Sequence, residues 1–184
     1  MSQNVTAQAA SSLRVRKITY SALFLALAMV LPFLTGQIPE IGSMLCPMHI
    51  PALLCGFLCG WQYGAVVGFV SPLLRMLMFG MPPVYVAIAM AFELAVYGAI
   101  SGLLYRAFPK KVTSIYLSLL TAMIAGRLVW GAVKFVMAGI QHTEFSFALF
   151  LSGAVTTAIP GIILQIVLIP VLVMVAEKAK LVLE

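Results

Sequence analysis

The sequence predicts an all-α integral membrane protein, a bundle of six transmembrane helices with both termini in the cytoplasm. Of the 184 residues, 63% are hydrophobic and 9% are charged, whereas about 25% of the residues in a soluble domain are charged. The apolar runs are about 20 residues long, which is the length that an α-helix needs to cross a bilayer. They also lack the strict alternation of a membrane β-barrel.

The basic residues predict the orientation of the bundle. Most of the 11 Lys and Arg residues flank the apolar runs at the ends where an even-numbered bundle has its cytoplasmic side. These flanking residues are Arg14, Arg16, Lys17, Arg106, Lys110, Lys111, Lys178 and Lys180. The membrane therefore accounts for the net charge of +6, and a nucleic-acid partner is not needed to explain it.

The chain divides into a polar tail, residues 1–13, which we expect to be disordered, and one membrane domain, residues 14–184. Helices are predicted at about 17–34, 48–60, 65–79, 84–105, 114–140 and 147–176. The third of these is expected to be interrupted at Ser71-Pro72. Residues 35–47, with two prolines and two glycines, are predicted to form a structured loop rather than a helix. This outer loop is a candidate lid, in which Gln37 and Glu40 are the polar residues of interest; a plain connector is the alternative.

Ionisable residues inside the apolar runs predict a binding site. Arg127, Trp130 and Lys134 fall within an arc of roughly 60° on one helix, and Glu93 on the preceding helix lies between the two cations in depth. A charge in the hydrocarbon costs from about 3 to over 10 kcal/mol, so such residues usually face a partner, a ligand or a wet cavity. We expect a charge pair or network among them, which either lines a site or only holds the two helices together.

The remaining candidates lie on the third, fourth and sixth predicted helices. Arg75 is close to the outer end of the third predicted helix, Tyr97 is one turn beyond Glu93, and Thr157 is on the last helix. Cys55 and Cys59 share a helical face near His49, but buried cysteines ordinarily pack as small apolar residues, and we predict no metal site. The sequence has no Walker A, HExxH or GxSxG motif, so we predict neither a cofactor nor an enzyme activity.

Two patterns resemble the substrate-binding (S) components of the energy-coupling factor (ECF) transporters, which import vitamins into prokaryotic cells. They are the small-residue stripe Ala22-x-x-x-Ala26 and the segment Pro47–Arg75, in a chain with six predicted helices. The resemblance implies that Ala22 and Ala26 contact a transmembrane coupling subunit, which two cytoplasmic ATPases drive. It also implies a substrate site near the outer face, among helices four to six and the first, third and fifth loops.

The substrate is predicted from charge. Two or three cations against Glu93 favour a carboxylate-bearing ligand, and Trp130 and Tyr97 could pack against its apolar portions. Pantothenate is the preferred substrate, ahead of a pyridine or pyrimidine vitamin or a deazapurine precursor. Two other functional classes stay open, namely an autonomous small carrier or channel, and an intramembrane enzyme that uses Glu93, His49 or His142.

Overall fold

The computed structural model describes residues 2–35, 38–143 and 146–183, with side chains from residue 11 onward except at positions 35, 39, 43, 154 and 155. Within this part the chain is helical. The helices are α1 (Ser2–Val30), α2 (Pro39–Leu45), α3 (His49–Cys59), α4 (Trp61–Phe79), α5 (Val84–Ala107), α6 (Val112–Gln141), α7 (Phe147–Leu151) and α8 (Ile159–Lys178). A 3₁₀ turn (Leu31–Thr35) follows α1, and a π-helical turn (Ser152–Thr156) follows α7.

Five helical segments in the described part are long and apolar enough to cross a membrane, and α3 is a shorter apolar helix. The five are Ser11–Leu34, which joins most of α1 to the 3₁₀ turn, together with α4, α5, α6 and α8. The all-α class and the six-helix bundle predicted from the sequence are therefore confirmed.

The short helix α3 lies at the centre of the bundle. It has only 11 residues, and every one of them is buried. Helices α1, α4, α5 and α8 surround it. A helix too short to cross the hydrocarbon is tolerated here because protein, and not lipid, covers its ends.

Glycines let α4 and α5 approach each other closely. A Cβ atom on Gly98 of α5 would lie 2.2 Å from the backbone oxygen of Gly64 on α4, and one on Gly68 would lie 2.2 Å from that of Leu94. Small residues at a helix crossing allow the backbones to touch, which is a main source of packing energy in a bilayer. This contact sets the position of α5 and hence of Glu93.

The structure differs from the predicted segmentation at the outer loops. Residues 39–45 form the helix α2 and not an irregular loop, because Pro39 occupies the first helical turn, where its missing N–H is not needed. The predicted sixth helix is also divided, since the π-helical turn and Pro160, at the start of α8, separate α7 from α8. Both differences affect segments that line the outer face.

Two other predictions of helix boundaries were wrong. Helix α4 is continuous through Pro72, although Pro72 cannot donate a backbone hydrogen bond. The hydroxyl of Ser71 donates to the Val67 carbonyl at 2.5 Å beside this position. Helix α1 begins at Ser2 rather than near Lys17, since no glycine or proline interrupts residues 2–16. The disorder of the tail in solution stays a prediction.

The half of the bundle that contains the end of α8 packs mainly through apolar side chains. Phe57, Ile115, Leu119 and Val173 form part of one buried cluster that joins α3, α6 and α8. At the inner end the Tyr105 hydroxyl hydrogen-bonds to Glu177, and the chain after α8 returns to donate from the Leu183 N–H to the Leu58 carbonyl at 2.7 Å. Among the described residues this half is mainly apolar, with Ser101 and Ser118 also buried there.

We expect Gly98→Ala to lower the thermal stability of the purified protein. The added methyl group overlaps the Gly64 backbone, and overpacking of this kind typically costs about 1–3 kcal/mol. Gly139→Ala is the matched control, because nothing lies within 4 Å of a Cβ at that position. Thermal unfolding in detergent measures both variants. Equal unfolding temperatures for Gly98→Ala and Gly139→Ala would contradict the close crossing of α4 and α5.

Candidate functional site

A cavity of about 530 Å³ lies at the outer end of the bundle. Its mouth is formed by the 3₁₀ turn, α2, the loop 81–83 and the π-helical turn, and its deepest residues belong to α3, α5 and α6. The lining residues are Pro32, Ile38, Glu40, Gly42, Cys46, Pro47, Met48, His49, Arg75, Met81, Pro82, Pro83, Val86, Met90, Glu93, Arg127, Trp130, Gly153 and Thr157. A cavity of this size can enclose a small molecule.

A buried ion pair forms the floor of the cavity. Arg127 Nη1 lies 3.0 Å from Glu93 Oε1, and the two side chains are 14% and 1% exposed. The pairing of a cation and an anion predicted from their depths is therefore confirmed for Glu93 and Arg127. His49 Nε2 approaches the same carboxylate oxygen at 3.4 Å, so one oxygen faces two nitrogen-bearing side chains.

Cys46 contacts Arg127 of this cluster, and Tyr97 contacts His49. Arg127 Nη2 donates to Cys46 Sγ at 3.6 Å, which ties α6 to the end of α2. Burial raises the pKa of the Cys46 thiol, so that the sulphur is a neutral acceptor at physiological pH. The Tyr97 ring meets the His49 ring edge-on at 5.2 Å, and Tyr97 also interacts with Glu93. Tyr97 thus lies behind the floor rather than among the lining residues.

Arg75 forms a second cationic position on the wall. It is 3% exposed, and its guanidinium lies beside the paired rings of Phe33 and Phe79, 4.9 and 5.2 Å from their centroids. Its Nη1 donates to the Met29 carbonyl at 2.6 Å, in the last turn of α1. This contact satisfies a carbonyl that lacks a partner within its helix. Among the residues that the structure describes, no carboxylate forms an ion pair with Arg75.

Trp130 forms the side of the cavity next to the π-helical turn. Its indole packs against Gly153, where a Cβ would lie 2.8 Å away, and against Phe150 at 6.3 Å between ring centroids. Thr157 lines the same side. Lys134 lies one turn beyond, with its Nζ 5.8 Å from the Trp130 ring, and it is not among the lining residues.

Only part of the candidate lid lies within the residues that the structure describes. Glu40, in the first turn of α2, is exposed and lines the cavity mouth. Gln37, the other polar residue proposed for the lid, lies outside the described residues. Within the part of the chain that the structure describes, no group of three or more His, Cys, Asp or Glu residues could hold a metal ion.

His49 and Cys46 line the cavity and contact the ion pair, and sequence reasoning assigned neither to the binding site. The sequence suggested His49 only as a neighbour of two cysteines or as an enzyme residue, yet it lies beside Glu93. Its position could have been inferred from Pro47-Met48-His49, where a polar residue begins an otherwise apolar helix next to an outer loop. Its contact with Glu93 comes from the packing of α3 against α5, which the periodicity of one segment does not reveal.

A comparison with family models agrees with the geometry. The model described as "ECF transporter, substrate-specific component" matches residues 16–173, which is most of the chain. The chain has no significant match among curated proteins or among solved structures.

We expect Glu93→Gln and Arg127→Met each to destabilise the protein, and the double variant to recover most of the loss. Breaking a buried ion pair typically costs about 3–5 kcal/mol because one charge stays buried without its partner, whereas replacing both is often nearly neutral. Unfolding temperatures of the four proteins in detergent give the coupling between the two positions. Strictly additive losses in the double variant would show that the two side chains do not depend on each other.

Proposed function

The chain belongs to the substrate-specific components of ECF transporters, and on this premise we propose that its outer cavity captures a small water-soluble vitamin or precursor. Members of this family are multi-pass proteins of prokaryotic membranes. They bind a substrate and associate with an ECF coupling module, and they are not enzymes. The chemistry of the cavity is therefore that of recognition, and the energy for import comes from ATP used by the partner subunits.

The observation that carries the proposal is the combination of an outward cavity with a closed inner half. The cavity of about 530 Å³ has its charged residues at the floor and on one wall. Below the floor, the apolar cluster that includes Phe57 and Leu119 fills the bundle. A protein built in this way can hold a solute at the outer face but offers it no path inward by itself.

A carboxylate-bearing substrate fits the charge of the cavity, and pantothenate is our preferred candidate. Arg75 is a buried cation on the wall without an acidic partner among the described residues, and a charge-assisted hydrogen bond to a carboxylate would satisfy it. Trp130 and Thr157 supply an aromatic face and a hydroxyl to the same cavity. Tyr97 and Lys134 would act from behind the lining, through Glu93 and Trp130 respectively.

We expect the purified protein to bind pantothenate with nanomolar affinity in the absence of any partner. Ligand at 1,000 times its Kd stabilises the native state by about 4 kcal/mol, so pantothenate should clearly raise the unfolding temperature. Isothermal titration calorimetry gives the affinity, and mass spectrometry of small molecules released on denaturation identifies a co-purified ligand. Release of a different vitamin would replace pantothenate as the substrate while leaving the binding role in place.

Ala22 and Ala26 are proposed to form the contact with the coupling subunit. Both are exposed on α1, four residues apart on one face. We expect Ala22→Trp combined with Ala26→Trp to abolish uptake with the coupling module while ligand binding by the isolated protein is unchanged. Ile124→Trp, at an exposed position of α6, is the matched control. Loss of ligand binding together with uptake in the double variant would indicate misfolding rather than a lost contact.

A further inference from the structure

We propose that the cavity holds its ligand at two chemically different ends, and that Arg75 and His49 determine its specificity. In this arrangement Arg75 binds a carboxylate at the wall, and His49 with Glu93 binds a neutral hydroxyl-type group at the floor. The inference rests on the proposed function, because it assigns the ligand chemistry of the same cavity. It also places the specificity on α3 and α4, outside the helices that the family resemblance implies.

The carboxylate is assigned to Arg75 and not to Arg127. The charge of Arg127 is already matched by Glu93 at 3.0 Å. A ligand carboxylate beside Arg127 would therefore meet the Glu93 carboxylate, and two like charges in a buried site repel strongly. Arg75 has one hydrogen bond to a backbone carbonyl and two aromatic neighbours, but no acidic partner among the described residues. Arg75 can therefore bind a ligand carboxylate without displacing a carboxylate of the protein.

The floor, in contrast, contains polar groups that lack hydrogen-bond partners. His49 is 2% exposed, and neither of its ring nitrogens forms a hydrogen bond that meets the geometric requirements. The same holds for Arg127 Nε, while Glu93 Oε1 lies 3.0 Å from Arg127 Nη1 and 3.4 Å from His49 Nε2. A buried polar atom without a hydrogen bond is costly, so a ligand that supplied these bonds would be favoured. The group that suits them must donate to a carboxylate or imidazole nitrogen and accept from an N–H, which a hydroxyl does.

The His49 ring has a fixed orientation in which to make such a contact. It lies at the start of α3, whose residues are all buried, and the Tyr97 ring packs against it edge-on. A ring held in this way loses little side-chain entropy when a ligand binds. The cavity thus provides a cationic wall for an anion and a prearranged polar floor for a hydroxyl. The ligand class that follows is a small carboxylic acid with hydroxyl groups at the end remote from the carboxylate.

Three probes separate the two ends. Pantothenate carries both groups, panthenol replaces the carboxylate with an alcohol, and N-(3,3-dimethylbutanoyl)-β-alanine keeps the carboxylate but lacks both hydroxyls. Calorimetry with the wild-type protein should show that each change weakens binding about 10- to 150-fold, the range expected for a hydrogen bond to a charged group.

Each variant should remove one of two binding preferences, either that for the carboxylate or that for the hydroxyl groups of the ligand. Arg75→Gln should remove the preference for pantothenate over panthenol and keep the preference for the hydroxyls. His49→Phe should do the reverse, and His49→Asn, which retains a donor and an acceptor, should recover part of the hydroxyl preference. Arg106→Gln, at the exposed inner end of α5, is the matched control and should change neither preference. Unfolding temperatures confirm that each variant is folded.

Several outcomes overturn the inference. One is an Arg75→Gln protein that keeps the carboxylate preference. Another is loss of this preference in Lys134→Gln, which would place the carboxylate beside Lys134. If pantothenate does not bind, nicotinate and nicotinamide test the carboxylate end alone. Equal affinity for these two probes overturns the assignment of the carboxylate to Arg75. Binding of neither probe overturns it as well. The proposed importer role is tested separately, by assembly with the coupling module and by uptake, so its failure is distinguishable.

Discussion

A carboxylate and a guanidinium can both lie deep in a membrane bundle only if they meet, and the pair between Glu93 and Arg127 is the contact on which the outer half of this protein depends. It joins α5 to α6, and through Cys46 it also reaches the end of α2. His49 of α3 completes the cluster. Two pairs of consecutive helices, α2 with α3 and α5 with α6, are thus held around one point, and the cavity lies directly outside it.

The two halves of the bundle serve different physical purposes. In the outer half, a proline-started short helix and a π-helical turn replace continuous helices, and these irregular segments surround a cavity with polar groups. Irregular backbone at membrane depth is tolerated where it lines a cavity. In the inner half, large apolar side chains of α3, α6 and α8 form one buried cluster. A protein with this division can bind a solute, but it depends on a coupling module to move it.

Much of the fold was predictable because each transmembrane helix is encoded locally. Helices α5 and α6 follow their predicted bounds within two residues, since each is one long apolar run between turn signals. The errors lie where a proline has two possible effects. Pro39 begins a helix and Pro72 is carried inside one, although both were expected to mark irregular structure. Tertiary packing decides between these outcomes, because neighbouring helices determine whether a locally weakened turn stays helical.

By itself, the sequence determined the membrane class, the six-helix bundle and the need for Glu93 to pair with a cation, because hydrophobic length and the cost of a buried charge act at the level of single segments. Only the tertiary structure decided which polar residues share the cavity. It brings His49 to the floor and Arg75 to the wall, and it leaves Lys134 beyond Trp130. These positions depend on the rotation and depth of one helix against another. Such relations are set by close contacts such as that between Gly64 and Gly98, and not by the pattern of any one segment.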